Sequence, residues 1–188
     1  MLTIFWIGLA LAAVAALALV SIYNRLEALN RRCDQAGADI DVQLKQRHDL
    51  VPNLVATVKS YAGHERGTLE AVIKARAAAV AAPSAGAQMQ AESMLGAALG
   101  RLMAVAEAYP DLKASGQFSD LAAELGDLEN KIAAARRYLN GATTEYNTTI
   151  EQFPANVIAG NFGFKLKPVA VAPNDNRAEL DTAPVVQL

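Results

Sequence analysis

Few residues in this chain have the side chains and spacing for chemistry. The stretch "QRHDLVPNL", Gln46 to Leu54, sets His48 beside Asp49. An imidazole next to a carboxylate suggests an acid–base pair or two metal ligands. A little earlier, "DIDVQLK" offers the paired carboxylates Asp39 and Asp41. The other histidine, His64, follows His48 by sixteen residues, and Cys33 is the single cysteine. One cysteine permits neither an intrachain disulfide nor a cysteine-based zinc site. On a helix, adjacent side chains diverge by about 100° and do not converge on one atom. Sixteen residues span about 24 Å of straight helix, too far for both histidines to share a metal. No catalytic residue, cofactor site or metal site is therefore expected. The alternative is a membrane-tethered enzyme or metal-binding domain using His48, Asp49 or Asp41. A buried polar cavity joining those side chains across helices would favour it.

Pro52 gives the same stretch a structural meaning. It has no N–H for the carbonyl of His48, and its ring presses on that carbonyl. The helix should bend between His48 and Pro52, or restart with Asp49 as its N-cap. His48 and Asp49 would then be solvated or hydrogen-bonding neighbours of an exposed carbonyl. Asp39 reads as part of a solvated face, while Glu27–Arg31 and Asp41–Lys45 have the spacing of i,i+4 pairs. Asp41 lies at the edge of the apolar stripe, and Arg136 lies similarly on a later helix. Antiparallel packing predicts an Asp41–Arg136 ion pair, or Arg137 with a small change of register.

The elements that carry these residues start with Leu2 to Ile22, which contain no charge. Twenty-one helical residues extend about 31 Å, enough for a bilayer core of about 30 Å. No basic residue precedes the apolar run, and the helical pattern continues past it, unlike a cleaved signal. An uncleaved anchor is predicted, with Trp6 and Tyr23 near the interfaces. Arg25, Arg31 and Arg32 follow it, which places the N-terminus outside and the remainder in the cytoplasm. Gly8, Ala12 and Ala16 form a small-residue row of the kind that lets transmembrane helices pack closely. An alanine-rich span can also carry such a row by accident.

Hydrophobic residues make up 53% of the chain but aromatics only 6%, which favours close-packed helices. A formal charge of −2 gives no reason to expect nucleic acid. Apolar residues recur at helical spacing through Leu26, Leu29, Cys33, Ala36, Ile40 and Leu44, then Val51, Leu54 and Val58. One first helix is predicted from Tyr23 to about Ala62. Thr68 can cap a second, Leu69 to Ala82, and a third runs from Ala87 to Tyr109, stopped by Pro110. The fourth has a heptad seam, Phe118, Leu121, Leu125, Leu128, Ile132, Ala135, Leu139, Ala142 and Tyr146. The predicted class is all-α, a transmembrane helix continuing into an up-and-down antiparallel four-helix bundle. The expected divisions are an anchor (1–22), the bundle (23–152), an apolar membrane-proximal segment (153–167) and a flexible tail (168–188).

"YNRLEALNRR", "DIDVQLKQRHDLVPNLVATVKSYAGHE", "AVAEAYPDLKA", "ENKIAAARRYLNGATTEYN" and "FPANVIAG" occur in that order. Together they resemble the LemA family of bacterial membrane proteins, from about Tyr23 to Pro168. The resemblance implies a short external N-terminus, one span of the bacterial inner membrane and a helical-bundle domain, with no established enzymatic activity. Some relatives take part in building magnetosome membranes, which implies a membrane-organising role. Gly63 in "YAGHE" departs from the alanine expected there and should loosen that helix end.

The functional expectation is a non-catalytic, self-associating scaffold that organises or remodels the bilayer. The lipid bilayer and further copies of the chain are the expected partners. An unidentified protein is a third, captured by a tail ending "APVVQL" in the adaptor alternative. If the fourth helix returns toward the membrane, Phe153, Val157, Ile158, Phe162, Phe164, Lys165 and Lys167 should lie against it.

Overall fold

The computed structural model describes residues 1–169. Its elements are α1 (Leu2–Tyr61), α2 (Arg66–Val80), α3 (Ala85–Glu107), α4 (Pro110–Lys113), α5 (Gly116–Glu151) and α6 (Ala155–Phe162). No strand occurs among the described residues, so the chain is all-α as its periodicity indicates. The expected tail lies, from residue 170 onward, outside the described residues.

Helix boundaries differ from expectation where local chemistry supplies another start. α2 begins before Thr68, with Glu65 as its N-cap residue. Ser84 caps α3, its hydroxyl accepting from the Ala87 N–H at 3.3 Å, so this helix starts at Ala85. Pro110 does more than end a helix. It opens the single turn α4, where a missing N–H costs nothing because first-turn N–H groups lack intrahelical acceptors. α6 was not expected. Pro154 reads as a terminator, yet it serves as the N-cap residue of eight further helical residues, which Gly163 closes in the left-handed conformation at φ 78°.

The chain divides into two units. The first contains residues 1–43 and 131–169, the second residues 44–130. α1 and α5 each contribute to both units. In the first unit, Leu26, Leu29 and Cys33 of α1 form one core with Ala142, Tyr146 and Ile150 of α5 and Ala155, Ile158 and Ala159 of α6. It is thus two long helices closed by a short third. In the second, four helical segments share a core: α1 through Val51, Leu54 and Val58, α2 through Leu69 and Val72, α3 through Leu95 and Leu102, and α5 through Phe118 and Leu125. Leu112 of α4 is buried among them. The four-helix packing expected over 23–152 is found within this second unit.

Candidate functional site

The first group of interest arises from a gap in the α1 stripe. Between Leu44 and Val51, the inward positions one turn on are held by Arg47 and His48, and both are buried. Buried polar groups need partners. Glu92, beside Ala91 on the inner face of α3, is 2% exposed and supplies them. His48 Nε2 and Glu92 Oε1 are 2.6 Å apart. A carboxylate paired with an arginine can only accept, so Nε2 donates. Arg47 Nη2 bonds the other carboxylate oxygen of Glu92 and, at 3.1 Å, its backbone carbonyl. Arg47 Nη1 donates to Glu129 Oε2 of α5 at 2.6 Å, where the Glu129 side chain is 59% exposed. Three helices are tied through one guanidinium.

Pro52 belongs to the same cluster. Arg76 of α2 donates Nε–H to the His48 carbonyl at 2.6 Å. The acceptor that Pro52 deprives of its helical donor is therefore satisfied from another helix. α1 continues through Pro52, so the alternative of a restart at Asp49 does not hold, and the carbonyl expected to be exposed is hydrogen-bonded from α2. His48 is buried, not solvated, because it continues the inward stripe. Asp49 points elsewhere, as neighbours on a helix do. It is exposed and accepts from Lys45 Nζ at 2.7 Å, and that ammonium holds its carboxyl below the usual carboxylate range. Lys45 thus pairs with Asp49, not with Asp41, whereas the expected Glu27–Arg31 pair forms at 2.7 Å.

Among the described residues, no three His, Cys, Asp or Glu side chains are grouped to hold a metal ion. Surface clefts are found in both units among the described residues. One, in the second unit, is lined by Asn53, Thr57, Ser60, Gln117 and Asp120 among others; another, in the first unit, by Cys33, Asp34, Asp41, Thr143 and Lys167 among others. Neither reaches the Arg47–His48–Glu92 cluster. With its carboxylate occupied on both oxygens, that cluster is built to hold helices together.

In the first unit, the Asp41–Arg136 ion pair does not form, nor does Asp41 pair with Arg137. The level is nearly right, since Asp41 shares a cleft with Leu139. The cation that reaches this cleft is instead Lys167, from the segment after α6. Its Nζ lies 2.5 Å from Asp34 Oδ1 and 3.3 Å from the Asn30 carbonyl, and sits 5.5 Å from the centre of the Tyr146 ring. Asn147 clamps the backbone of the same residue, accepting from the Lys167 N–H at 2.9 Å and donating to its carbonyl at 2.8 Å. Arg32 of α1 meets Glu145 of α5 at 3.3 Å.

The expected membrane-proximal residues divide in two. Ile158 is core, and Lys167 is turned inward. Phe153, Val157, Phe162 and Lys165 are exposed, as is Leu166, while Phe164 is half-buried. The rings of Phe162 and Phe164 meet the Tyr23 ring edge-on, at 5.1 and 5.7 Å. Gly8, Ala12 and Ala16 lie on a fully exposed stretch of α1.

A helix long and apolar enough to cross a membrane, continuous with a polar-tied helical domain, defines a membrane-associated all-α protein. More particularly, the chain belongs to the LemA family, whose sequence profile matches residues 36–187. Curated relatives include Magnetosome protein MamQ 2 of Paramagnetospirillum magneticum, 27% identical, and Magnetosome protein MamQ of Magnetospirillum gryphiswaldense, 25% identical. Each match covers 76% of this chain and 62% of the relative, so the chain spans less than two thirds of those proteins' length.

Proposed function

We propose that the protein is a membrane-anchored, self-associating helical scaffold that organises or remodels the bacterial inner membrane without catalysis. The observation that carries this reading is the first third of α1. Every residue from Met1 to Ser21 is exposed, none from Leu2 to Ile22 is charged, and the helix runs unbroken into the folded domain. Such a surface needs an apolar surround, and a bilayer supplies one of matching thickness. The magnetosome relatives support a role in organising membrane. The cluster around Arg47 supports a structural domain, since its charged groups are consumed by one another.

Reconstitution of the full chain into vesicles tests the reading. Cross-linking should yield discrete oligomers, weakened by Ala12→Ile if the span contributes contacts. Rising protein content should alter vesicle size or shape. A strictly monomeric protein, with vesicles unchanged at every protein content, would refute the scaffold. Orientation is tested separately. The first basic residue is Arg25, so external trypsin on spheroplasts should spare a cytoplasmic domain and degrade an external one.

A further inference from the structure

Three features are left unused by the scaffold reading: the cleft beside Lys167, the polar cleft lined by Asn53 and Asp120, and the apolar surface around Tyr23. The last carries an inference. α6 is bound to the first unit by one face, on which Ala155, Ile158 and Ala159 are buried. One turn further along that face comes Phe162, yet it is 66% exposed, with the edge of Tyr23 as its aromatic neighbour. The inner face of α6 therefore overruns the protein core. It does so at a defined level, because Tyr23 directly follows the charge-free stretch that ends at Ile22.

Two further observations place more apolar surface there. The Arg32–Glu145 ion pair sets α5 against α1. Glu151, the last residue of α5 and six beyond Glu145, comes level with Leu26, six before Arg32; Phe153 follows two residues later and is 82% exposed. Beyond Gly163 the chain turns back, since Lys167 is already beside Asn30 and Asp34. The apex of this excursion is Phe162 to Phe164, against Tyr23. Three of the five phenylalanines in the chain thus gather where the anchor ends. Polar atoms nearby are partly provided for: the Asn161 amide bonds back to the Val157 carbonyl at 2.8 Å. Arg25 and Lys165 are exposed beside the same surface, as residues at headgroup level would be.

We propose that Phe153, Phe162 and the turn through Phe164 form an interfacial wedge, inserted into the leaflet from which α1 emerges. Val157 and Leu166 extend it. The occupant of this apolar face is lipid because the face is continuous with the anchor itself. The wedge adds volume to one leaflet only, beside the span, which is how a bound protein biases curvature. It rests on the reading of residues 2–22 as the span.

The test uses the full chain in vesicles of phosphatidylethanolamine and phosphatidylglycerol carrying brominated acyl chains. Trp6 is the single tryptophan and reports the anchor. Phe162→Trp and Phe153→Trp, each combined with Trp6→Phe, report the wedge; both sites are largely exposed, so neither change disturbs the core. The expected result is blue-shifted emission from both variants, with most of the intensity lost to bromines near the headgroups and less to bromines at the chain ends. Solvent-like, unquenched emission at 162 and 153 beside a quenched Trp6 would overturn the wedge and leave the anchor standing. Blue-shifted emission that no brominated lipid quenches would place the rings against a second copy, which also overturns it. An unquenched Trp6 would instead remove the anchor, on which both readings depend.

Discussion

Arg76 should matter only because Pro52 is there. In the native chain, Arg76→Ala removes the Nε–H donor 2.6 Å from the His48 carbonyl. A hydrogen bond from a charged donor contributes about 1.5–3 kcal/mol. Arg76 is half-buried, so water replaces part of this and the low end, about 1.5 kcal/mol, applies. Pro52→Ala restores the N–H four residues after His48. An interior proline costs a helix about 3 kcal/mol, part of it the missing bond that Arg76 already supplies, so the gain should be about 1–2 kcal/mol. In the Pro52→Ala background the carbonyl has its own helical donor, and Arg76→Ala should cost less than about 0.5 kcal/mol. The coupling is thus about 1 kcal/mol, read from denaturant unfolding of the four full-length proteins in mild detergent, followed by far-UV circular dichroism. Single effects that add to within about 0.3–0.5 kcal/mol would show that Arg76 and Pro52 are independent and the reasoning mistaken.

Glu92→Ala leaves buried Arg47 with only the exposed Glu129 as its counter-charge and removes the acceptor of His48, for an expected loss of about 3 kcal/mol; a loss below about 1 kcal/mol on the same unfolding assay would show the cluster to be solvated. Asn147→Ala should free the segment around Lys167, so that trypsin cuts after Lys165 faster than in the native chain, and unchanged cleavage would show the clamp to be idle. The Tyr146 phenol is held above its ordinary value of about 10, by burial first and then by its neighbours Cys33, Asp34 and Glu27, against a smaller opposing hydrogen bond from the Lys165 backbone. A proton held more tightly in the folded state stabilises the fold below the unfolded value, and that stability is lost as pH rises through the folded one. Stability should therefore fall above about pH 10, less steeply in Tyr146→Phe, and an identical alkaline limb would refute the assignment.

Periodicity made most of the fold legible. From Leu26 to Val58, the α1 positions named by spacing are buried or half-buried, and so is each of the nine seam positions of α5. The site is less legible because its residues are polar, and an apolar stripe does not name them. Arg47 and His48 fill the inward positions between Leu44 and Val51, and Glu92 adjoins inward Ala91; the signal was a charged residue where the pattern demands an apolar one. Two failures have a different cause. α6 is short and follows a proline, so the local sequence gives little sign of it, and burial of Ala155, Ile158 and Ala159 against α1 and α5 holds it. Asp41 lost its expected partner because Lys167 arrives from outside the paired helices, which no register of α1 against α5 anticipates. The partner of the His48 carbonyl was hidden for a similar reason: the need is written at Pro52, but the donor lies on α2.

What the Arg47–Glu92 pair contributes is a register. The inward residues of α1 recur every seven, Leu44 to Val51 and Val51 to Val58. If α1 slipped against α3 by one heptad, apolar side chains would still meet apolar side chains, and burial alone would distinguish the two arrangements poorly. Such a slip separates Arg47 from Glu92 by about 10 Å along the helix and leaves two charges buried without each other. The ion pair need not stabilise the domain to specify it. Replacing both partners by apolar residues, Arg47→Met with Glu92→Leu, should recover part of the loss seen in Glu92→Ala, short of about 1–3 kcal/mol for the orphaned His48. The pairing of α1 with α3 should then cease to be unique. Spin labels on Lys45 and Ser93, both exposed, would report this as a second distance population that the native chain lacks. A single unchanged distance in the apolar variant would mean that packing shape, not charge, sets the register.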